Sequence, residues 1–193
     1  MISIEDLRKE LKEKLSEHRY EHTIGVMEKA IELAKKYGVD EKKAALVALA
    51  HDMAKEMTEE ESLNYIKENK IEITKYDLQC PQVLHGIIAA DITGKKYGFD
   101  QEMQDAIYYH TTARANMTLL DKILYVADKT ENKTRKYGKV DEYRKLVEEK
   151  GLDEGVLFGI EDWTIPKAIE KGKPIHPNSI YARNDIIMNR QIK

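Results

Sequence analysis

Apolar residues recur along most of this chain at intervals of three and four positions, which is the spacing of an amphipathic helix. The clearest segment runs from Ala44 to Ala50, is apolar at every position and follows a helix-capping residue at Asp40. This pattern predicts a buried helix over about 40–56. The apolar run leads directly into His51 and Asp52, so the predicted helix would carry an imidazole and a carboxylate into the interior.

Capping residues and glycine stops divide the remainder of the chain into further helices. A basic stretch over 132–140 lacks periodicity and should form a surface loop, Pro166 should kink or divide its helix, and Trp163 is expected in the core. No segment alternates apolar and polar residues as a strand does. We therefore predict one all-α domain. The other expected helices cover about 4–15, 18–37, 58–69, a segment through His85 to Gly98, 100–110, 118–128, 141–150, 153–171 and 178–190.

Four more polar residues fall in step with apolar helix faces, and they are His22, His85, His110 and Asp128. Each continues a stripe with the helical period, so its side chain should point inward. One inward histidine is more often a hydrogen-bonded core residue than a metal ligand. Together with the doublet described above, however, these groups would need many separate partners. A shared metal ion satisfies them jointly, and mixed nitrogen and oxygen ligands suit iron, manganese or zinc better than calcium or magnesium.

The composition limits the partners of such a protein. Of its 193 residues 41% are hydrophobic, enough for one core, and the net charge of −3 provides no general attraction to nucleic acid or an anionic membrane. The single cysteine, Cys80, excludes an internal disulfide and fits a reducing compartment. We expect neither a signal peptide nor a stretch of the ~18 apolar residues that a membrane span needs. The expected location is the cytoplasm, with no nucleic-acid or membrane partner.

An upstream histidine, a His-Asp doublet and a downstream aspartate form the signature of the HD-domain metal-dependent phosphohydrolases. Here these are His22, His51-Asp52 and Asp128. Shorter words resemble the YqeK-type HD proteins, which act as symmetrical diadenosine tetraphosphate hydrolases, and this resemblance covers about 18–190. The words are HRYEH at 18–22, HDMAK at 51–55, LH at 84–85, YHTT at 109–112, LDKILYVAD at 120–128, IHP at 175–177 and ARN at 182–184.

The resemblance implies a single HD domain over 1–193, with a core over about 18–131 and C-terminal helices over about 141–190 that pack on it. This chain departs from the family pattern at three places. Ala113 stands where the family usually has glycine, and the segment after Asp128 is one residue longer than the usual Y-I-E-P-N-R. Pro166 interrupts the C-terminal helix. The first two departures concern contacts with the nucleotide rather than the metal site.

The resemblance also implies roles for the inward polar residues. The implied metal ligands are His22, His51, Asp52 and Asp128. The implied metal is iron, as one or two ions, with manganese or zinc as substitutes. His85 and His110 have two alternative roles: they complete a second metal site in which Asp52 bridges two ions, or they hold phosphate oxygens and donate a proton to the leaving group. In either case Asp52, His85 and His110 are expected to be catalytic.

A polyphosphate needs positive charge beside the metal. Lys55 lies three residues after Asp52, on the same side of the helix, and Arg19 lies three residues before His22. The loop around 172–177 resembles the family segment that approaches the nucleoside. Besides His85 and His110, the residues expected to bind the nucleotide are Arg19, Lys55, Thr111, Arg135, Lys173 and Ile175.

The expected reaction is the hydrolysis of diadenosine tetraphosphate into two molecules of ADP, so a dinucleoside polyphosphate or a nucleoside diphosphate is the expected ligand. The nearest alternative is another HD-type phosphohydrolase, either a nucleotidase or a guanosine-alarmone hydrolase. A diiron oxygenase and a non-catalytic nucleotide-binding module represent two different classes of function, and Lys55 and Arg19 argue against the oxygenase. The oligomeric state stays open, with a homodimer as one outcome.

Overall fold

A computed structural model describes residues 2–136 and 138–191, and this part of the chain contains twelve α-helices, one short 3-10 turn and one π-helical segment. The described residues form no strand, so the prediction of an all-α domain is confirmed. None of the helices in these ranges is long and apolar enough to cross a membrane. The helices are α1 (Ile4–Lys14), α2 (Glu17–Tyr37), α3 (Glu41–Ala50), α4 (Glu59–Glu68), α5 (Lys75–Gln79), α6 (Leu84–Tyr97), α7 (Gln101–Tyr109), α8 (Leu119–Thr130), α9 (Val140–Lys150), α10 (Leu152–Phe158), α11 (Ile165–Glu170) and α12 (Pro177–Gln191).

Helix α3 forms the centre of the bundle. The residues from Ala44 to Ala50 have no exposed surface, and the helix packs against α1, α2, α7 and α8. Its alanines keep the side chains short, so the neighbouring helices can approach closely. Because a helix that is apolar all round is buried on every side, α3 delivers His51 and Asp52 at its end to the interior.

The predicted helix over 40–56 is wrong in its C-terminal limit, because α3 ends at Ala50. Beyond this point the chain tightens, and backbone hydrogen bonds connect residues three apart: Lys55 N donates to Asp52 O at 2.9 Å and Met57 N donates to Ala54 O at 3.3 Å. Side chains three positions apart lie above one another in such turns. The tightened segment therefore places Lys55 on the same side as Asp52.

The predicted helix over 153–171 is divided in the structure. A π-helical segment, Gly159–Thr164, separates α10 from α11, and Ile165 N donates to Ile160 O across a wide turn. Pro166 lies in the first turn of α11, where its missing N–H costs no helical hydrogen bond. The predicted division of this helix is present, but it lies at Gly159–Thr164, before Pro166. The assignment of Trp163 to the core is wrong, because the wide turn leaves this side chain half-buried.

Two short elements were not predicted. Helix α5 has only five residues and follows Thr74, whose hydroxyl caps it reciprocally with the carboxylate of Asp77. A 3-10 turn over Pro81–Val83 then leads into α6. Both are too short to show a hydrophobic period. The loop predicted over 132–140 is non-helical up to 136 and over 138–139, and its position 137 lies outside the described residues.

Candidate metal centre

Hydrogen bonds at Nδ1 fix the ring orientation of three histidines. His51 Nδ1 contacts Ala48 O at 2.6 Å, and His110 Nδ1 contacts Ile107 O at 2.7 Å. A carbonyl oxygen can only accept, so both Nδ1 atoms carry the proton and both Nε2 atoms keep a free lone pair. His22 is held in the same way by a carboxylate, described below. The imidazoles thus present Nε2 as a ligand atom.

The Nε2 atoms of four histidines converge on the carboxylate of Asp52. Asp52 Oδ1 lies 3.0 Å from His85 Nε2 and 3.7 Å from His110 Nε2, while Oδ2 lies 3.5 Å from His51 Nε2 and 3.8 Å from His22 Nε2. Two compact groups result, in each of which the candidate ligand atoms all lie within 4.8 Å of one another. Asp52 belongs to both. The groups are His22–His51–Asp52 and Asp52–His85–His110.

These residues fit a divalent transition metal. His51 Nε2 is buried and has no hydrogen-bond partner among the described residues, an arrangement that costs free energy unless a ligand occupies the lone pair. Burial lowers the pKa of His51 to about 3 and that of His85 to about 4. Both rings are therefore neutral at pH 7, the state in which imidazole binds a metal.

Asp128 borders the same centre. Its Oδ1 lies 3.1 Å from His22 Nε2 and 3.9 Å from His51 Nε2. Burial alone would raise the pKa of Asp128, but the charge of Lys129 and the hydrogen bond from His22 outweigh it and hold this pKa well below its ordinary value. The structure thus brings all four predicted ligands together. Arg135 Nη2 donates to Asp128 Oδ1 at 3.0 Å, despite the longer segment between them.

Glu131 belongs to this centre by position, and it was not predicted from the sequence. Its carboxylate is fully buried, lies 3.2 Å from His22 Nδ1 and accepts hydrogen bonds from the loop that follows it. The loop donors are Lys133 N, Thr134 N, Thr134 Oγ1 and Arg135 N. Gly25 leaves space for this approach, since a Cβ there would stand 2.2 Å from Glu131 Oε2. The sequence feature that could have indicated Glu131 is its position three residues after Asp128, within one helical turn of a predicted metal ligand.

A cavity of about 410 Å³ opens onto the metal centre, where Asp52, His110 and Asp128 line it. Seven basic side chains surround this space, which we call the first cavity. They are Arg19, Lys55, Lys129, Arg135, Lys167, Lys171 and Lys173. So many cations around one opening favour an anionic ligand with several charges.

The predicted phosphate-binding residues lie at the metal end of the first cavity. Arg19 Nη1 donates to Asp52 Oδ2 at 2.6 Å, and Lys55 Nζ lies 4.0 Å from Asp52 Oδ1 and 3.3 Å from His85 Nε2. Thr111 Oγ1 lies 3.3 Å from His110 Nε2. Since these side chains contact the centre and line the cavity, they can reach an anion bound to the metal.

The other end of the first cavity is formed by the C-terminal segments. Lys173 and Ile175 line it, as predicted from the sequence, and so does Trp163. Lys167 Nζ lies 5.1 Å from the centre of the Trp163 ring system. Lys167 and Lys171 were missed because exposed lysines on a helix are usually only solvated charges.

Lys129 is the other missed residue at the metal end. It is almost completely buried, its Nζ lies 3.6 Å from the centre of the Tyr125 ring, and it donates to His110 O at 3.5 Å. Burial lowers the pKa of Lys129 to about 8. The sequence feature that could have indicated Lys129 is its position directly after Asp128, which continues a buried apolar stripe.

The loop that carries Lys173 and Ile175 is fastened by a histidine. Asn178 N donates to His176 Nδ1 at 3.2 Å, so the proton of His176 lies on Nε2, which contacts Asp77 Oδ1 at 3.1 Å. Both side chains are buried. The unpredicted helix α5 thus anchors the end of the cavity distant from α3.

Ala113 explains one departure from the family pattern. Its backbone has a φ of +62°, in the left-handed region that glycine adopts most easily. Ala113 N donates to Tyr109 O at 2.7 Å and closes the turn after α7. Alanine here therefore adopts a conformation that glycine also allows, and the turn that follows His110 and Thr111 is closed.

A helical bundle that buries histidines and aspartates from separate helices around one centre defines a class of metal-binding domain. The family model for the HD domain matches residues 19–133, more than half of the chain. The chain therefore belongs to the HD-domain family.

Proteins similar to this chain over nearly its full length are known. The symmetrical bis(5'-nucleosyl)-tetraphosphatase of Bacillus subtilis (strain 168) is 38% identical over 92% of this chain and 94% of that protein. The protein of the same name from Halalkalibacterium halodurans is 35% identical over 94% and 95%. A crystal structure from Clostridium acetobutylicum, described as a predicted HD superfamily hydrolase involved in NAD metabolism, has a TM-score of 0.91 and 36% identity, covering 98% of this chain and 99% of that one. The resemblance to the YqeK-type proteins is confirmed.

Proposed function

We propose that this protein is a metal-dependent hydrolase that splits diadenosine tetraphosphate symmetrically into two molecules of ADP. The observation that carries the proposal is a group of buried imidazoles that converge on Asp52 at the end of a cavity lined by seven cations. Two relatives that bear the name of this activity are similar over nearly the whole chain. The alternative enzymes and the binding module have no comparable support.

A bound metal ion would polarise a phosphate oxygen and lower the pKa of a bound water, so that hydroxide is available at neutral pH. We propose that the residues that hold it are His22, His51, Asp52 and Asp128. His85 and His110, with the shared Asp52, would hold a second ion. The low pKa of His85, about 4, argues against the alternative in which His85 donates a proton to the leaving group.

The cations of the first cavity would bind the polyphosphate. Arg19 and Lys55 flank Asp52 and would bind the phosphates next to the cleaved bond, and Thr111 would donate its hydroxyl there. Arg135 and Lys129 add charge at Asp128. Lys173 and Ile175 would contact the nucleotide at the other end. Together, these side chains between the metal and the 172–177 loop would hold one ADP half of the substrate.

The identity of the metal, the oligomeric state and the cellular location stay predictions. Iron is the expected metal, with manganese or zinc as substitutes, and the ligand set is compatible with each of them. A homodimer and a cytoplasmic location are the other two. Elemental analysis of freshly purified protein and sedimentation would test the metal and the assembly.

Separation of the reaction products tests the proposal directly. The protein is loaded with iron or manganese, incubated with diadenosine tetraphosphate, and sampled over time by ion-exchange chromatography. We expect ADP as the single nucleotide product and no turnover after treatment with a chelator. Release of ATP and AMP would contradict the proposal. A panel of nucleoside monophosphates and guanosine alarmones separates the nearest alternatives, and oxygen consumption would indicate the oxygenase.

A further inference from the structure

A second, smaller cavity adjoins the metal centre beside Lys55. Its volume is about 220 Å³, and it lies between the start of α4, the Pro81–Val83 turn and His85. Lys55 and Gln82 line both this space, which we call the second cavity, and the first cavity. These two side chains therefore form the border between the two cavities.

Four of the six candidate ligands line one cavity or the other, and His22 and His51 line neither. Asp52, His110 and Asp128 line the first cavity, whereas His85 lines the second. His85 Nε2 and His110 Nε2 are only 3.0 Å apart. A linear ligand that passes the centre could therefore extend in both directions, with Lys55 beside its middle.

The proposed substrate has this form, because its two nucleotide halves are identical and the cut falls between them. A volume of about 410 Å³ lies within the range of pockets that hold one drug-sized ligand. The first cavity would thus hold one ADP half and leave the other outside it. We propose that the second cavity binds the nucleoside of the other half, an inference that rests on the proposed function.

The charges of the second cavity favour a nucleoside over a phosphate. Its one basic side chain is Lys55, at the border with the first cavity, and Glu59 supplies a carboxylate. A carboxylate repels phosphate but accepts hydrogen bonds from ribose hydroxyls. Met57, Pro81 and Leu84 form apolar walls suited to the face of a base, and Ser62 adds a buried hydroxyl.

Two substrates that differ in one nucleoside test this site. Diadenosine tetraphosphate has both nucleosides, whereas adenosine 5'-tetraphosphate has the same four phosphates and only one. Symmetrical cleavage of the second compound releases ADP and pyrophosphate. Ser62→Leu, which fills the second cavity, should raise KM for the dinucleotide roughly tenfold and change kcat/KM for the mononucleotide by less than about twofold.

Glu59→Gln repeats the test at an exposed position that carries no packing, with an expected rise of about threefold in KM for the dinucleotide alone. The matched control is Glu60→Gln. Glu60 is next to Glu59 on α4 and lines neither cavity, so this change should leave KM for both substrates unaltered. If Ser62→Leu and Glu59→Gln affect both substrates equally, or neither, the second cavity does not bind the nucleoside. The proposed function fails separately, when the wild-type protein releases no ADP from the dinucleotide.

Discussion

His22 Nδ1 and the buried carboxylate of Glu131 lie 3.2 Å apart, although the two residues are separated by 109 positions in the chain. His22 Nε2, on the other side of the same ring, faces Asp128 at 3.1 Å. Glu131 therefore orients a candidate metal ligand. Burial would raise the pKa of Glu131, but the hydrogen bonds from His22 and the loop outweigh it and lower this pKa to about 2, so the carboxylate is ionised.

Glu131→Gln should weaken metal binding by about 10- to 100-fold, the usual effect of losing a partner of a metal-bound histidine. The amide removes the charge, and its NH₂ group cannot accept the hydrogen bonds of the loop N–H groups. Competition with a fluorescent chelator measures the affinity, and melting of the metal-free protein reports the structural effect separately. Glu21→Gln, exposed on α2, is the control. Equal affinities of wild type and Glu131→Gln would refute the positioning role.

Asp52→Ala should abolish both metal content and hydrolysis, because this carboxylate is shared by the two ligand groups. The loss also releases Arg19, whose guanidinium is bound to Asp52. Elemental analysis and the product assay check both effects. Asp153→Ala removes a carboxylate that is half-exposed and bound to Lys122, and it should retain both properties. Normal turnover by Asp52→Ala would eliminate the proposed mechanism.

Lys55→Ala should impair catalysis without loss of metal. The ammonium group lies 4.0 Å from Asp52 Oδ1, so it adds charge for the polyphosphate and is not itself a ligand. We expect kcat/KM to fall by at least roughly tenfold, as the loss of one charge-assisted hydrogen bond implies. Steady-state kinetics and metal analysis of the same preparation test this, with Lys95→Ala on the exposed side of α6 as control. Loss of metal in Lys55→Ala would show a structural role instead.

His176→Ala should loosen the nucleotide end of the first cavity. The bond from His176 to Asp77 fastens the loop of Lys173 and Ile175 to α5. Without it, KM should rise by about threefold to tenfold, while metal affinity stays constant. Calorimetric titration with ADP gives the binding change directly. A fall in metal affinity of similar size would mean that the loop supports the whole centre.

Glu10 gives a prediction for stability against pH. It accepts hydrogen bonds from Lys14 at 2.7 Å and Lys96 at 2.5 Å, and thereby links α1 to α6. Burial alone would raise the pKa of Glu10, but these bonds and that of Tyr97 outweigh it and lower this pKa from 4.5 to about 2. Because the folded pKa is the lower one, the stabilisation exists above pH 4.5 and disappears as the pH falls towards 2.

Glu10→Gln should therefore reduce the free energy of unfolding by about 1 kcal/mol at neutral pH, a value discounted for the exposure of the two lysines. The difference from wild type should shrink towards zero near pH 2. Urea unfolding across this range measures it. Glu13→Gln, an exposed neighbour on α1, should show no such pH dependence. A difference that persists at low pH would assign the effect to packing instead of charge.

Local pattern determined most of the helices and the direction of the chemically active side chains. A helix repeats every 3.6 residues, so a histidine in step with an apolar stripe must face the core. His22, His85, His110 and Asp128 were assigned inward on this basis, and the structure places all of them at one centre. Capping residues such as Asp100 and Thr118 likewise marked helix starts, since their side chains bond within three residues.

Tertiary structure alone decided how these groups combine. Periodicity states which face is buried but not which helices meet, so neither the sharing of Asp52 nor the bond from His22 to Glu131 could be read along the chain. The early end of α3 and the half-buried position of Trp163 were also absent from the periodic pattern, because tightened and widened turns break the helical period. The partners of Asp52 and His22 are distant in the sequence and become their neighbours only when the chain has folded.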